Sequence, residues 1–378
     1  MGSLANTVAF ESNKTDFEDT SIQRLIIGEE INFVLNNWIR YSSIPRGWID
    51  EFNKMITSYV RIYIYVYICL KIDFVCILKW ENVKQAKDFK VLKVFSGHSK
   101  SITNVKFSIN ATKVVSSSYD KTIQLLDITS NEVIQIFQGH LLGVNSARFS
   151  PDGTMIVSCS DDRTVRLWDV QSGKEVKELQ GHLNCVTNAE FSPDGQMIVS
   201  SSYDQTVRLW DAKSGEQIKS LRGHSNGVCD AQFSPDGQMI ASTSFDKTIV
   251  IWNVKLRIMT HQLKGHFGCV MTAQFSPDCC FVVSCSSDNT IRIWDVQSGN
   301  EVKILKGHTR TVSDVKYFPH GQTIVSCSMD NTIRCWDVEF GQEMHTLQGH
   351  SHWVTKIDTS EDGKIVSSSR DQTIRLWS

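Results

Sequence analysis

The sequence predicts an all-β fold built from seven copies of one four-stranded unit, and three observations carry that prediction. Gly-His recurs at Gly97, Gly139, Gly181, Gly223, Gly265, Gly307 and Gly349, every step being 42 residues. An aspartate follows each pair in phase, at Asp120, Asp162, Asp204, Asp246, Asp288, Asp330 and Asp371, the last copy being one residue shorter at the turn before Ile365. Within a copy, apolar residues alternate or run in short blocks between turn signals, which is the periodicity of strands. Self-similarity at such a fixed period marks one supersecondary unit stacked on itself.

The third copy shows the elements in order. Gly181-His182 opens a loop into a first strand that ends at Phe191. Asp194-Gly195 supplies the positive φ of a tight hairpin, and Met197 to Val199 begin a second strand. The turn at Tyr203-Asp204 leads to a third strand, with alternation through Val207, Leu209 and Asp211. After Ser214-Gly215, the short strand "EQIKSL" runs into the next Gly-His. No helix of useful length fits between these turns. Asp-Gly recurs at Asp152, Asp236 and Asp362, but the fifth copy has Asp278-Cys279 and the sixth His320-Gly321. These turns lie at the opposite end of the unit from Gly-His.

The ends of the array predict closure. "VLKVF" at Val91 to Phe95 reads as a fourth strand placed before the first Gly-His, and the sequence ends at Ser378, after the third strand of the seventh copy. The early strand thus completes the last unit and leaves no free edges, which an open stack would expose.

The first ninety residues read differently. Ile31, Val34, Leu35 and Trp38 recur at helical spacing, as do Trp48, Phe52, Met55, Ile56 and Tyr59, with Pro45 and Gly47 between them. A helix pair is expected near 29–41 and 47–60, within an N-terminal segment 1–60 followed by an apolar connector 61–90. In "RIYIYVYICLKIDFVCIL", residues 61–78, the longest uncharged run is Ile62 to Leu70, too short to span a bilayer. Its Tyr-Ile alternation reads as a strand.

Composition narrows the class. Hydrophobic residues at 41% and charged residues at 21% suit a globular protein, and a formal charge of −2 leaves no basic footprint for nucleic acid. The N-terminus has neither a secretory nor a transit pattern, so an intracellular site, cytoplasmic or nuclear, is expected. The eleven cysteines include no CxxC pair, and Cys159, Cys285 and Cys327 share a repeat position with Ser117, Ser201, Thr243 and Ser368. That position wants a small side chain, not a disulfide or a metal, and no cofactor or metal is expected. Cys279 and Cys280 read as reduced thiols at a turn, with a vicinal disulfide as the alternative.

Each copy also ends in tryptophan, at Trp168, Trp210, Trp252, Trp294, Trp336 and Trp377, with Leu126 in the first. The dipeptide Trp-Asp is intact in four copies; the departures are Leu126-Asp127, Trp252-Asn253 and Trp377-Ser378. With the phased Gly-His and Asp, these residues make 91–378 resemble the WD-repeat family. The resemblance implies a seven-bladed β-propeller of four-stranded blades closed by the N-terminal strand, preceded here by the small helical segment. In that family His, a hydroxyl residue, Asp and Trp form a hydrogen-bonded clasp inside each blade. Carried over, the clasp falls on His182, Asp204 and Trp210, with Ser200 or Ser202 as the hydroxyl. Both serines point to one face of a strand, so the choice stays open. The other blades match at His140, Asp162 and Trp168; at His224, Asp246 and Trp252; and at His266, Asp288 and Trp294. His308, Asp330 and Trp336, then His350, Asp371 and Trp377, complete the set.

A His-Ser-Asp constellation invites a hydrolase reading, but a nucleophile belongs at one special place, whereas this set is stamped on every unit. The expected function is a non-catalytic protein–protein interaction scaffold, with a propeller hydrolase or a membrane-tethered adaptor through 61–78 as alternatives. The candidate partner-binding position immediately precedes the clasp Asp and varies: Tyr119, Asp161, Tyr203, Phe245, Ser287, Met329 and Arg370. In the family it lies near the channel mouth on the Gly-His face. The loops after Gly-His add Leu141, Leu142, Leu183, Phe267 and Trp353. Three aromatic rings around Asp161 suit an Arg- or Lys-containing segment of a partner.

Overall fold

The computed structural model describes residues 89–378. The expected helix pair and the apolar run 61–78 lie outside these residues. Twenty-eight strands form seven four-stranded antiparallel sheets, each a blade of a propeller. The first blade runs through Ile102–Phe107, Lys113–Ser118, Thr122–Asp127 and Val133–Gln138. The next five repeat that order from inner strands Val144–Phe149, Val186–Phe191, Val228–Phe233, Val270–Phe275 and Val312–Tyr317. The seventh joins Val354–Thr359, Ile365–Ser369 and Thr373–Trp377 to Val91–Ser96 from the other end of the sequence.

The blades are strands because their Val, Ile, Leu and Trp residues fit a pleated surface buried on both faces. The apolar cores accordingly lie between blades. Val199, Val207 and Leu209 of the third blade pack with Val228, Ala231, Phe233 and Trp252 of the fourth. Trp210 packs likewise on Val157, Val165 and Leu167 of the second blade. Each indole is thus a wedge at a seam, and burying a side chain of this size stabilises by roughly 1.5–3 kcal/mol or more.

Polar side chains stitch the same seams in one rotational sense. Thr103 donates to the Val144 carbonyl (2.6 Å), Asn145 to Val186 (2.8 Å) and Thr187 to Val228 (2.9 Å). Ser313 donates to Val354, and Thr355 to Ile102 at 2.8 Å, which carries the pattern from the seventh blade back to the first. The ring is therefore closed by side chains as well as by a strand. That strand pairs Phe95 with Ile374 and Ser96 with Thr373, while Lys90 and Ser378 exchange two backbone bonds of 3.0 and 3.1 Å. Phe95 is buried among Ile102, Val105, Ile374 and Leu376.

The turns between the first and second strands of each blade need a left-handed residue, and Gly153, Gly195, Gly237, Gly321 and Gly363 supply it at φ between 70 and 76°. Ala111 and Cys279 hold the same position at φ 50 and 60°. Cys279 and Cys280 are free thiols, and Cys159, Cys285 and Cys327 are free and buried. Among the described residues no helix is long and apolar enough to cross a membrane.

Candidate functional site

The clasp residues meet at one end of every blade. In the third, His182 Nδ1 lies 2.8 Å from Asp204 Oδ2, His182 Nε2 lies 2.8 Å from Ser200 Oγ, and the Trp210 indole donates to that Oγ at 2.8 Å. The same three contacts, at 2.8–2.9 Å, join His140, Asp162, Ser158 and Trp168; His224, Asp246, Ser242 and Trp252; and His266, Asp288, Ser284 and Trp294. They recur for His308, Asp330, Ser326 and Trp336 and for His350, Asp371, Ser367 and Trp377. The first blade has His98, Asp120 and Ser116 but Leu126 in place of the indole. Ser202 serves the turn instead: its Oγ accepts from the Asp204 N–H and donates to the Asn184 carbonyl.

The direction of the chain follows from chemistry. An indole N–H can only donate, so Ser200 Oγ accepts from Trp210 and gives its own proton to His182 Nε2. Nδ1 then carries the ring proton and donates to Asp204. Burial lowers the His182 pKa, with Asp204 opposing, which keeps the ring in this neutral form. Burial alone would raise the Asp204 pKa. Bonds from His182, the Thr206 hydroxyl (2.6 Å) and the Leu183 N–H (3.0 Å) outweigh it and hold the carboxyl well below its usual range. Ser200 is fully buried and its oxygen is engaged twice, so it cannot approach an acyl substrate as a nucleophile. Thr206 is a clasp member that sequence reasoning missed. Its signal was a threonine two residues after the Asp in all seven copies: Thr122, Thr164, Thr206, Thr248, Thr290, Thr332 and Thr373.

The clasp fixes the turn that carries the variable position. The N–H of each variable residue donates to the third loop residue after His in its own blade: Tyr119 to Ser101, Asp161 to Gly143, Tyr203 to Cys185 and Phe245 to Gly227. Ser287 to Cys269, Met329 to Thr311 and Arg370 to Trp353 complete the ring. At Tyr119 and Tyr203 the side chain reaches the loop of the next blade. A Cβ on Gly143 would stand 2.5 Å from Tyr119 Cδ1, and one on Gly227 would stand 3.1 Å from Tyr203 Cδ1. Two large rings therefore sit where the neighbouring loop offers glycine.

The structure divides the candidate partner-binding residues into two groups, with Phe267 outside both. Tyr203 and Phe245 are in tilted ring contact at 5.4 Å, and burial followed by the Asp161 carboxylate raises the Tyr119 hydroxyl pKa. Tyr119, Asp161, Tyr203 and Phe245 form one run over the first four blades, with Asp161 held by Asn145 at 2.8 Å. Met329 and Trp353 instead line a cavity between the sixth and seventh blades, and the Arg370 guanidinium lies 4.3 Å over the Trp353 ring. Phe267 stands apart at 80% exposure beside Arg292, among outer loop tips that include Leu141 and Leu183. Trp353 and Phe245 are half-buried, so they present edges rather than whole rings.

Around the axis the inner strands carry a buried charged belt. Lys106 pairs with Asp358 at 2.6 Å, Arg148 with Glu190, and Lys356 with Asp314 at 3.4 Å. Lys316 has no carboxylate at that distance among the described residues; it donates to Gln232 Oε1 (3.2 Å), whose amide in turn donates to Asp230 (2.6 Å). Burial, and then the Lys106 charge, push the Lys316 ammonium down to about 7. Between pH ~7 and the unfolded lysine value of about 10.4, the unfolded chain holds the extra proton and stability rises with pH. Below that window both states are protonated, and above it neither is. Lys316→Met is expected to remove up to about 1.4 kcal/mol per pH unit of that rise. Urea unfolding at two pH values inside the window measures it, and equal slopes in wild type and variant would contradict the assignment.

Seven stretches of the chain match the family described as WD domain, G-beta repeat: residues 89–127, 131–169, 173–211, 215–253, 257–295, 299–337 and 341–378. Each stretch begins with the outer strand of one blade and continues into the first three strands of the next, so every repeat spans a seam. No curated protein matches the chain at a significant level. Propellers of this kind commonly serve as protein-interaction scaffolds and are generally non-catalytic. The repeats cover more than half of the chain, their phase agrees with the clasp in every blade, and the protein belongs to the WD-repeat family.

Proposed function

We propose that the protein is a non-catalytic scaffold whose Gly-His face binds segments of other proteins. The observation that carries the reading is the run Tyr119, Asp161, Tyr203 and Phe245. Tyr119 and Tyr203 remain 41% and 43% exposed, and the Asp161 carboxylate has no Lys or Arg at ion-pair distance among the described residues. Exposed rings beside an unneutralised carboxylate suit an Arg or Lys side chain, which stacks on the ring and pairs with the charge. The variable position is not needed for the clasp, which leaves it available for recognition. Leu141 and Leu183, 70% and 74% exposed at the loop tips, extend the apolar contact area.

Combining Tyr203→Ala, Phe245→Ala and Asp161→Lys tests this reading. Truncating interface aromatics costs on the order of 2 kcal/mol where they are anchors. Affinity purification from cells is therefore expected to recover the principal partners at a tenth or less of the wild-type level, about the factor for 1.4 kcal/mol. The thermal melt should be unchanged, since none of the three belongs to the clasp. An unchanged set and yield of partners would move the binding surface elsewhere.

A further inference from the structure

The second group of face residues has a different chemistry. The cavity between the sixth and seventh blades has a volume of about 350 Å³ and is lined by Arg310, Met329, Asn331, Ser351, His352 and Trp353. Its one carboxylate is already committed, because Asp330 accepts from His308 (2.9 Å), the Thr309 N–H (3.1 Å) and the Thr332 hydroxyl (2.6 Å). Arg310 and Arg370 have no carboxylate at ion-pair distance among the described residues. Arg370 does not itself line the cavity; its guanidinium stacks 4.3 Å over the lining Trp353 ring and so adds positive charge beside it. The basic arc continues onto the first blade with Lys100 and Lys121, both exposed.

We propose that this cavity receives an anionic side chain of the bound segment, a Glu or Asp carboxylate or a phosphorylated hydroxyl. The proposal rests on the scaffold reading above and adds the charge of the partner. Planar guanidinium groups donate to carboxylate and phosphate oxygens in pairs, and Asn331 and Ser351 add neutral donors. A segment that spans the face then carries its acid over the sixth and seventh blades and its base beside Asp161. The apolar walls from Met329 and Trp353 favour a side chain on a protein over a nucleic-acid backbone, as does the formal charge of −2 for the whole chain.

The test uses the full chain and three fluorescent probes: a triglutamate peptide, the same peptide with one phosphoserine in place of the glutamates, and an oligouridylate. Anisotropy is expected to show saturable binding of at least one peptide, lost by about tenfold or more in the Arg310→Glu, Arg370→Glu double variant. Arg310→Gln with Arg370→Gln should lose less, and Asp161→Lys should not weaken binding. The tighter peptide identifies the source of the anion. Binding that ignores the reversal of both arginines, or an oligouridylate bound more tightly than either peptide, would overturn the proposal. Peptides that fail to bind while the Tyr203, Phe245 and Asp161 variant still loses its partners would remove the anion site and leave the scaffold reading standing.

Discussion

Trp210→Ala is expected to destabilise the ring by roughly 3–5 kcal/mol, the range for deleting a large buried aromatic. Two effects add. The indole leaves a cavity at the seam between the second and third blades, where Val157, Val165 and Leu167 lose their packing partner. Its N–H also no longer reaches Ser200, although that hydroxyl can still donate to His182. Leu126→Ala should cost less, because Leu126 makes no hydrogen bond to Ser116 and fills a smaller space between the first and seventh blades. Thermal or urea melts rank the two directly. The reverse order would show that the indoles are not the seam wedges described here.

Removing the closing strand is expected to have the larger effect. A chain that begins at residue 89 keeps the pairing of Val91–Ser96 with Thr373–Trp377 and the bonds between Lys90 and Ser378. One that begins at residue 97 loses all of these, and with them Phe95 from a cluster that includes Ile374 and Leu376. The strand Thr373–Trp377 then becomes an unpaired edge, a template for aggregation. Size-exclusion chromatography and melting are expected to show a folded species for the first chain, and aggregation or partial unfolding for the second. Equal behaviour of the two would refute closure by this strand.

Much of the fold is legible in the sequence because one physical unit is written seven times. The phase of Gly-His, Asp and Trp places the strands, and Val91 to Phe95 ahead of the first Gly-His announces the closing strand. What the spacing leaves open has local causes. Ser200 and Ser202 lie on one face, and only the ladder register separates them: Ile198 pairs with Trp210, which brings the indole to Ser200, while Ser202 ends the strand and bonds the turn at Asp204. The match between Tyr119 and Gly143 joins adjacent blades, so nothing within a single copy displays it. The axial belt was also hidden, since Arg148, Glu190, Asp230 and Lys316 differ from copy to copy. Its signal was charge inside inner strands that otherwise bury their residues. The uncommitted side of the Gly-His face is read from variation around the ring, and variation marks where recognition could occur without naming what is recognised.

Partners are expected to engage the Gly-His face rather than the rim or the opposite turns. Oxidative footprinting of the protein with and without a partner recovered by affinity purification tests it most directly, because the labels read side chains one by one. The bound state is expected to protect Tyr119, Tyr203, Phe245 and Trp353 by severalfold, while the outer-strand residues Leu92, Ile134, Val176 and Ile304 stay as reactive as in the free protein. All four of those controls are exposed in the free chain, so their protection would be visible. Protection confined to them, or to the Asp-Gly turns at Asp152, Asp194 and Asp236, would contradict that expectation.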